Sequence, residues 1–216
     1  MKQADKDELT HRDLSKNVDY LRNTDSLKRG TYTDNEVEAL LKTAEGDWKG
    51  VILTAVYTGL RATNCHLLSW EDVDLENKLI KVIPVKRRKG FNKGFLPLPL
   101  EGRLLSHLKS LALTAGDERS GFIFKTSGLK DDIRSKRFKS IREKAGVPYE
   151  VYVDGLKQKR DFHSLRHYHN TKLKAGGATP EERMAQLGHS SFETNQVYTH
   201  HELDHRRKVL KQAFSS

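Results

Sequence analysis

Apolar residues in this chain fall into periodic clusters, separated by polar stretches that carry glycine and proline. Residues 1–30 are polar without a clear period and read as a linker or a loosely attached helix. The stretch "TYTDNEVEALLKTA" then starts a helix. Thr33 stands at its N-cap and Glu36 three positions on, a capping box ahead of Val37, Leu40 and Leu41. "WKGVILTAVYTG" is apolar on nearly every face, which predicts a buried helix stopped at Gly59. A short helix holding Leu67, Leu68 and Trp70 is expected to follow.

"KLIKVIPV" and "GFLPLPL" read as two strands of a β-hairpin whose tip, "KRRKGFNK", is basic. "EGRLLSHLKSLAL" predicts an amphipathic helix, "GFIF" a short strand, and "DIRSKRFKSIREKAG" a basic helix ended by Gly146. "VYVDGLKQKR" predicts a second hairpin turning at Asp154-Gly155. The last third is helical. "HSLRHYHNTKLKAGG" ends on glycine, and "TPEERMAQLG" has Thr179 as N-cap, Pro180 at N1, Glu182 closing a capping box and Gly188 past its end. "DHRRKVLKQAF" is a final amphipathic helix. The expected fold class is α+β, mostly α-helical, with a small antiparallel sheet.

Charge narrows the partner. The 216 residues carry 39 Lys+Arg against 29 Asp+Glu, a formal net charge of +10, which points to a polyanion, most commonly nucleic acid. The single cysteine, Cys65, cannot form a disulfide within the chain and fits a reducing, cytosolic setting. The sequence has neither an apolar run long enough to span a bilayer nor a secretory h-region at its start, so no membrane role is expected.

Several residues are equipped for chemistry on a phosphodiester. Cleavage by a hydroxyl nucleophile needs an acceptor for its proton, fixed positive charge around the phosphate and a proton for the leaving 5′ oxygen. Arginine forks hold non-bridging oxygens bidentately without losing charge. Lysine or histidine supplies the proton. "TGLRATN" places Arg61 after the glycine stop, and "FHSLRH" places His163 and Arg166 three apart on one helix face. "LGH" places His189 at a helix end, and Tyr198 follows nine residues later.

Each signal has an ordinary reading too. Arg61 alone is a helix C-terminal charge, and Tyr198 alone is an aromatic packing beside Val197. The "KRRK" run (Lys86, Arg87, Arg88, Lys89) is a solvated phosphate patch or, on a hairpin tip with Lys93, a minor-groove probe. The helix bearing Arg134, Arg137 and Arg142 lies along a DNA groove or simply has a wet face. His163 and His167 are four apart, but serine follows His163, so the pattern is not H-E-x-x-H and no metal site is expected.

The ordered set "TGLR…LLSWEDVDL", "HSLRH" and "LGHSSFETNQVYTH" resembles the tyrosine recombinase (phage integrase) family, over roughly residues 31–212. The resemblance implies a catalytic domain over 31–216, with 1–30 as linker or N-terminal extension. It implies that Arg61 and Arg166 clamp the scissile phosphate, His163 assists proton transfer, and His189 holds a non-bridging oxygen. Lys89 would protonate the 5′ oxygen and Tyr198 would form a 3′-phosphotyrosyl bond. Counting back from Pro97 without a gap selects Lys89, and a gap in the turn selects Lys86. Lys86, Arg87, Arg88, Lys93, Arg134, Arg137 and Arg142 would bind DNA.

The resemblance further implies double-stranded DNA as partner, no cofactor and no small-molecule substrate. It implies a homotetramer exchanging the C-terminal helix, with Val209, Leu210 and Phe214 offered to a neighbour, and a cytoplasmic, nucleoid-associated protein of bacterial or phage origin. A type IB topoisomerase-like enzyme and a non-catalytic DNA-binding regulator are the alternatives. Asn64 stands where the family usually has an acidic residue, which is what keeps the regulator in view. Only about 30 residues precede the pattern, so a fragment of a longer protein or a short member built on the catalytic domain is expected.

Overall fold

The computed structural model describes residues 28–82, 96–116, 119–187 and 200–215. Its elements run β1 (Lys28–Arg29), α1 (Asp34–Thr43), α2 (Asp47–Thr58), α3 (Ala62–His66), β2 (Val73–Asp74), β3 (Leu79–Val82) and β4 (Leu96–Pro99). They continue as α4 (Gly102–Ala115), α5 (Asp131–Lys144), β5 (Glu150–Val153), β6 (Leu156–Lys159), α6 (Ser164–Ala175), α7 (Pro180–Leu187) and α8 (His200–Ala213).

Helix α2 is the centre of the core. Val51, Ile52, Leu53, Ala55 and Val56 are all buried, so helices pack around it rather than on one side. Its polar members are satisfied internally: Thr54 Oγ1 donates to the Gly50 carbonyl and Thr58 Oγ1 to that of Thr54. Helix α1 begins with the predicted capping box, in which the Thr33 hydroxyl accepts from Glu36 N–H and the Glu36 carboxylate accepts from Thr33 N–H. The same carboxylate pairs at 2.7 Å with the buried Arg160. A local helix start is thereby tied to the loop that leads into α6.

Two small sheets flank this core. One has the order β2-β3-β4, with β3 and β4 antiparallel from Leu79↔Pro99 to Val82↔Leu96. These are the strands of the basic hairpin, whose tip lies outside the described residues. The other has the order β1-β6-β5. Its β5–β6 hairpin turns at Asp154 and Gly155, both at positive φ (50° and 73°), the two-residue geometry that matches strand twist.

Three expectations are corrected. Helix α3 ends at His66, before Leu68 and Trp70. Trp70–Asp72 is a separate 3-10 turn, because Ser69 N–H and Oγ–H both donate to the Asp72 carboxylate and start a new turn there. "GFIF" is not a strand but one bridge, Ser69↔Phe122, whose neighbour Ile123 N–H donates to the Leu68 carbonyl while Phe124 plugs the core. The 1–30 stretch is not all linker, since Lys28 and Arg29 pair in parallel with Gln158 and Lys159.

Helix α8 docks on its own domain. Val209, Leu210 and Ala213 are buried, Phe214 stacks on Tyr57 with ring centres 4.5 Å apart, and Arg206 donates to the Pro97 carbonyl of β4. Its apolar seam is therefore covered by the chain itself.

Candidate active site

Three of the expected site residues meet where α2 ends and α6 begins. Gly59 terminates α2 in the left-handed region (φ 64°, ψ 18°), which turns the chain sharply. Arg61 then takes the N-cap of α3 in an extended conformation, half-buried, and its carbonyl accepts from Cys65 N–H. Asn64 and Cys65 are buried within α3.

Arg166 projects from α6 into the same corner. One guanidinium nitrogen donates to the Gly59 carbonyl and another to that of Leu187, each at 2.6 Å. It therefore ties the end of α2 to the end of α7, the residue just before Gly188 and His189 in sequence. Burial, and then the charge of Arg61, lower the Arg166 pKa to about 10. Two guanidinium groups in one partly dry corner form a concentrated positive site, suited to a doubly charged phosphorane.

His163 occupies the N-cap of α6 and is half-buried. Its backbone N–H donates to Asp161 Oδ1 at 2.9 Å, so Asp161 holds the start of the helix. The imidazole lies edge-on to His167, with centres 5.4 Å apart. Burial first, then Arg29, His167 and Arg166, lower the His163 pKa to about 4, against an opposing pull from Asp161. The ring is neutral at physiological pH and is able to accept a proton or a hydrogen bond. A cavity of about 660 Å³ opens beside it, walled by Trp48, His66, Phe138 and Phe162.

The sequence assigned no role to His169, one turn beyond Arg166. It is fully buried; Nδ1 lies 2.8 Å from the Val56 carbonyl near the end of α2, and Nε2 has no partner among the described residues. A side chain at Gly59 would come within 2.5 Å of its Cδ2. His169 thus sets how closely α6 approaches the Arg61 turn. Asp161 was missed too, although an Asp two residues before a helical His-x-x-Arg is a recognisable cap signal.

Not all the expected groups come together. Lys86, Arg87, Arg88, Lys89, Lys93, His189 and Tyr198 lie outside the described residues. On α5, Arg137 faces solvent, but Arg134 and Arg142 turn inward, contrary to their expected place on a wet face. Arg134 donates to the Thr126 and Ser127 carbonyls and pairs with Asp131. Arg142 donates to the Val147 carbonyl and lies 4.9 Å from the Tyr149 ring centre. Residues 134, 138 and 142 recur every four positions, so Phe138 carries both arginines to the core face. That spacing was the available signal. No cluster of metal-ligating side chains occurs among the described residues, and none of their helices is long and apolar enough to cross a membrane.

Residues 31–205 match the model of the phage integrase family. Among similar proteins, a tyrosine recombinase XerC of Bifidobacterium longum is 30% identical over 92% of this chain and 55% of its own length. A tyrosine recombinase XerC-like protein of Caldanaerobacter subterraneus is 29% identical over 79% of this chain and 50% of its own. The chain spans about half the length of the curated relatives it matches. In fold it is similar to the integrase of mycobacterium phage Brujita, with a TM-score of 0.63 and 21% identity over 87% of this chain and 61% of that one.

Proposed function

The chain belongs to the phage integrase family, and from that premise we propose that it is the catalytic domain of a site-specific DNA recombinase that cuts and rejoins strands through a 3′-phosphotyrosyl intermediate. The observation that carries the proposal is the corner itself. Arg61 at the N-cap of α3 and Arg166, which bonds the Gly59 carbonyl two residues before Arg61, come together there although far apart in sequence, with His163 at the start of the same helix as Arg166. Such a concentration of fixed positive charge suits a dianionic group in transit.

In this reading Tyr198 attacks phosphorus and the bond to the 5′ oxygen breaks. Lys89 gives that oxygen its proton, and His163 handles the phenol proton. Arg61, Arg166 and His189 hold the non-bridging oxygens. Because the phosphotyrosyl link conserves the energy of the broken ester, a 5′ hydroxyl from another strand reverses the step. The electrostatic work is done by fixed cations, so no metal or cofactor enters the scheme.

The partner is double-stranded DNA in the cytoplasm of a bacterium, met through the basic hairpin tip and the solvent-facing side of α5, where Arg137 lies. Arg134 and Arg142 are assigned to the fold. Assembly as a tetramer would have α8 leave its own seam and dock on the same seam of a neighbour. The burial of Val209 and Leu210 and the stacking of Phe214 make that seam self-complementary to α8.

The test is covalent trapping on nicked duplex DNA carrying the cognate site. The wild-type chain is expected to form an SDS-stable adduct that persists in EDTA. Tyr198→Phe should bind DNA with nearly unchanged affinity and form none. An adduct of unchanged yield from Tyr198→Phe removes that residue from its role, and activity that needs a divalent ion replaces the mechanism.

A further inference from the structure

Just outside the family-matched residues, strand β1 brings a third arginine to the site. Arg29 pairs in register with Lys159 of β6, and the next residue, Gly30, donates its N–H to the Lys159 carbonyl at 2.9 Å. This pairing sets Arg29 beside the loop that leads into α6. Its Nε lies 3.4 Å from Asp161 Oδ2, while Asp161 Oδ1 accepts from the backbone N–H of His163. One carboxylate therefore joins the strand to the helix that presents His163 and Arg166. The Tyr32 hydroxyl, donating to the Asp161 carbonyl at 3.1 Å, fixes the same loop from the β1 side.

We propose that Arg29 is a positioning residue of the strand-cleaving site: delivered by β1, it holds the Asp161 carboxylate that starts α6 and adds fixed positive charge beside His163. The inference rests on the recombinase reading of this site. It also makes the segment before the family-matched core part of the active site's electrostatics.

The physical case has two parts. The Arg29–Asp161 pair is well exposed on both sides, so it contributes little to stability. What it does instead is local. Asp161 by itself favours the protonated form of His163, and Arg29 offsets that carboxylate while opposing protonation directly. After burial, Arg29 is the largest cause of the lowered His163 pKa. The other charged groups facing the ring are Arg166 and His167 from α6. Across the cavity, α5 presents Arg134, Lys139, Arg142 and Glu143. Among these cations Arg29 is the one carried by the segment leading into the domain. A neutral His163 meets the phosphate as a proton acceptor, and a protonated one cannot take the phenol proton.

The experiment is an NMR titration of the histidine rings in the full chain, with His163 assigned by its loss in His163→Gln. Arg29→Gln is expected to raise the His163 midpoint toward the ordinary histidine range. Arg29→Lys, which keeps the charge, should stay with the wild type. Asp161→Asn keeps an acceptor for the His163 N–H but removes the negative charge, so it should lower the midpoint. In the trapping assay, the acid limb of cleavage by Arg29→Gln should move to higher pH, and that by Arg29→Lys should not.

An unmoved midpoint in Arg29→Gln, or an equal shift in Arg29→Lys, overturns the proposal. So does a marked fall in the melting temperature of Arg29→Gln, because the residue would then be structural. If the wild-type chain forms no adduct at any pH, the recombinase reading fails while the titration still decides the role of Arg29. If it cleaves and the midpoint does not move, the reading stands and the inference falls.

Discussion

Acidification should unfold this protein through a histidine that takes no part in the chemistry. His169 is fully buried; burial first, then Arg166 and Arg206, lower its pKa from the ordinary 6.5 to about 4, despite the opposing bond to Val56. That bond has a structural purpose, since the Val56 carbonyl stands near the C-terminal end of α2, where helical partners run out. With Nδ1 donating, a further proton has to go on Nε2, which has no partner among the described residues and lies where the ring stacks on Phe214.

Between about pH 6.5 and about pH 4 the unfolded chain therefore binds a proton at this position that the folded chain refuses. Stability is level above that window and falls as pH falls through it. At about pH 4.5 the loss attributable to His169 alone is roughly 2.5 kcal/mol, a large part of a normal folding free energy.

The assay is guanidinium unfolding followed by tryptophan fluorescence, at pH steps from about 7.5 to about 4.5, for the wild-type chain and His169→Gln. Glutamine can still donate to Val56 but does not titrate. It should cost about 1–2 kcal/mol at neutral pH through poorer packing and a weaker bond. That deficit should shrink or reverse by about pH 4.5, because the variant escapes the 2.5 kcal/mol penalty. His66 and His163, whose pKa values are also lowered to about 4, add to the acid sensitivity of both proteins and cancel in the difference. Parallel stability curves for the two chains would refute the reasoning and show that His169 is protonated, or exposed, in the folded state.

Two other substitutions probe the same corner. Gly59→Ala places a methyl 2.5 Å from His169 Cδ2 and 2.7 Å from Leu187 Cδ2 on a left-handed backbone, so it should cost roughly 2–4 kcal/mol. Because Arg166 holds the Gly59 and Leu187 carbonyls, adduct formation should fall further than the folded fraction does; a variant that melts and cleaves like the wild type would contradict this. Phe214→Ala removes the stack on Tyr57 and should cost about 2–3 kcal/mol, less than a fully buried ring, while speeding proteolysis within α8. Unchanged digestion of α8 would mean that its seam is held by Val209 and Leu210 alone.

Much of this protein could be read locally. Both capping boxes, Thr33 with Glu36 and Thr179 with Glu182, form in the structure, and Asp154-Gly155 turns its hairpin. The all-apolar α2 is the core, and Gly59 ends it in the conformation that glycine suits best. These features depend on residues three or four apart and on backbone angles, so neighbouring side chains suffice to specify them. Arg61 was legible because the Gly59 stop precedes it, and His163 and Arg166 because a spacing of three puts them on one helix face. Lys89, His189 and Tyr198 were read from the pattern alone, and their positions lie outside the described residues.

What only the tertiary structure decided involves partners distant in sequence. Arg134 and Arg142 read as groove-binding charges until carbonyls at Thr126, Ser127 and Val147 are in place to receive them. Without those acceptors, burial of either guanidinium would be prohibitive, and with them the inward face of α5 is the stable one. Arg29 is one of two strand residues in a polar stretch until β6 arrives from across the domain and sets it against Asp161. Helix α8 shows an apolar stripe whose periodicity names no partner, and only the folded chain shows the seam beside α6 and β4 that fits it. An amphipathic or charged segment carries its own periodicity but not the identity of its partner. That identity depends on shape and hydrogen-bond acceptors that exist only once the chain has folded.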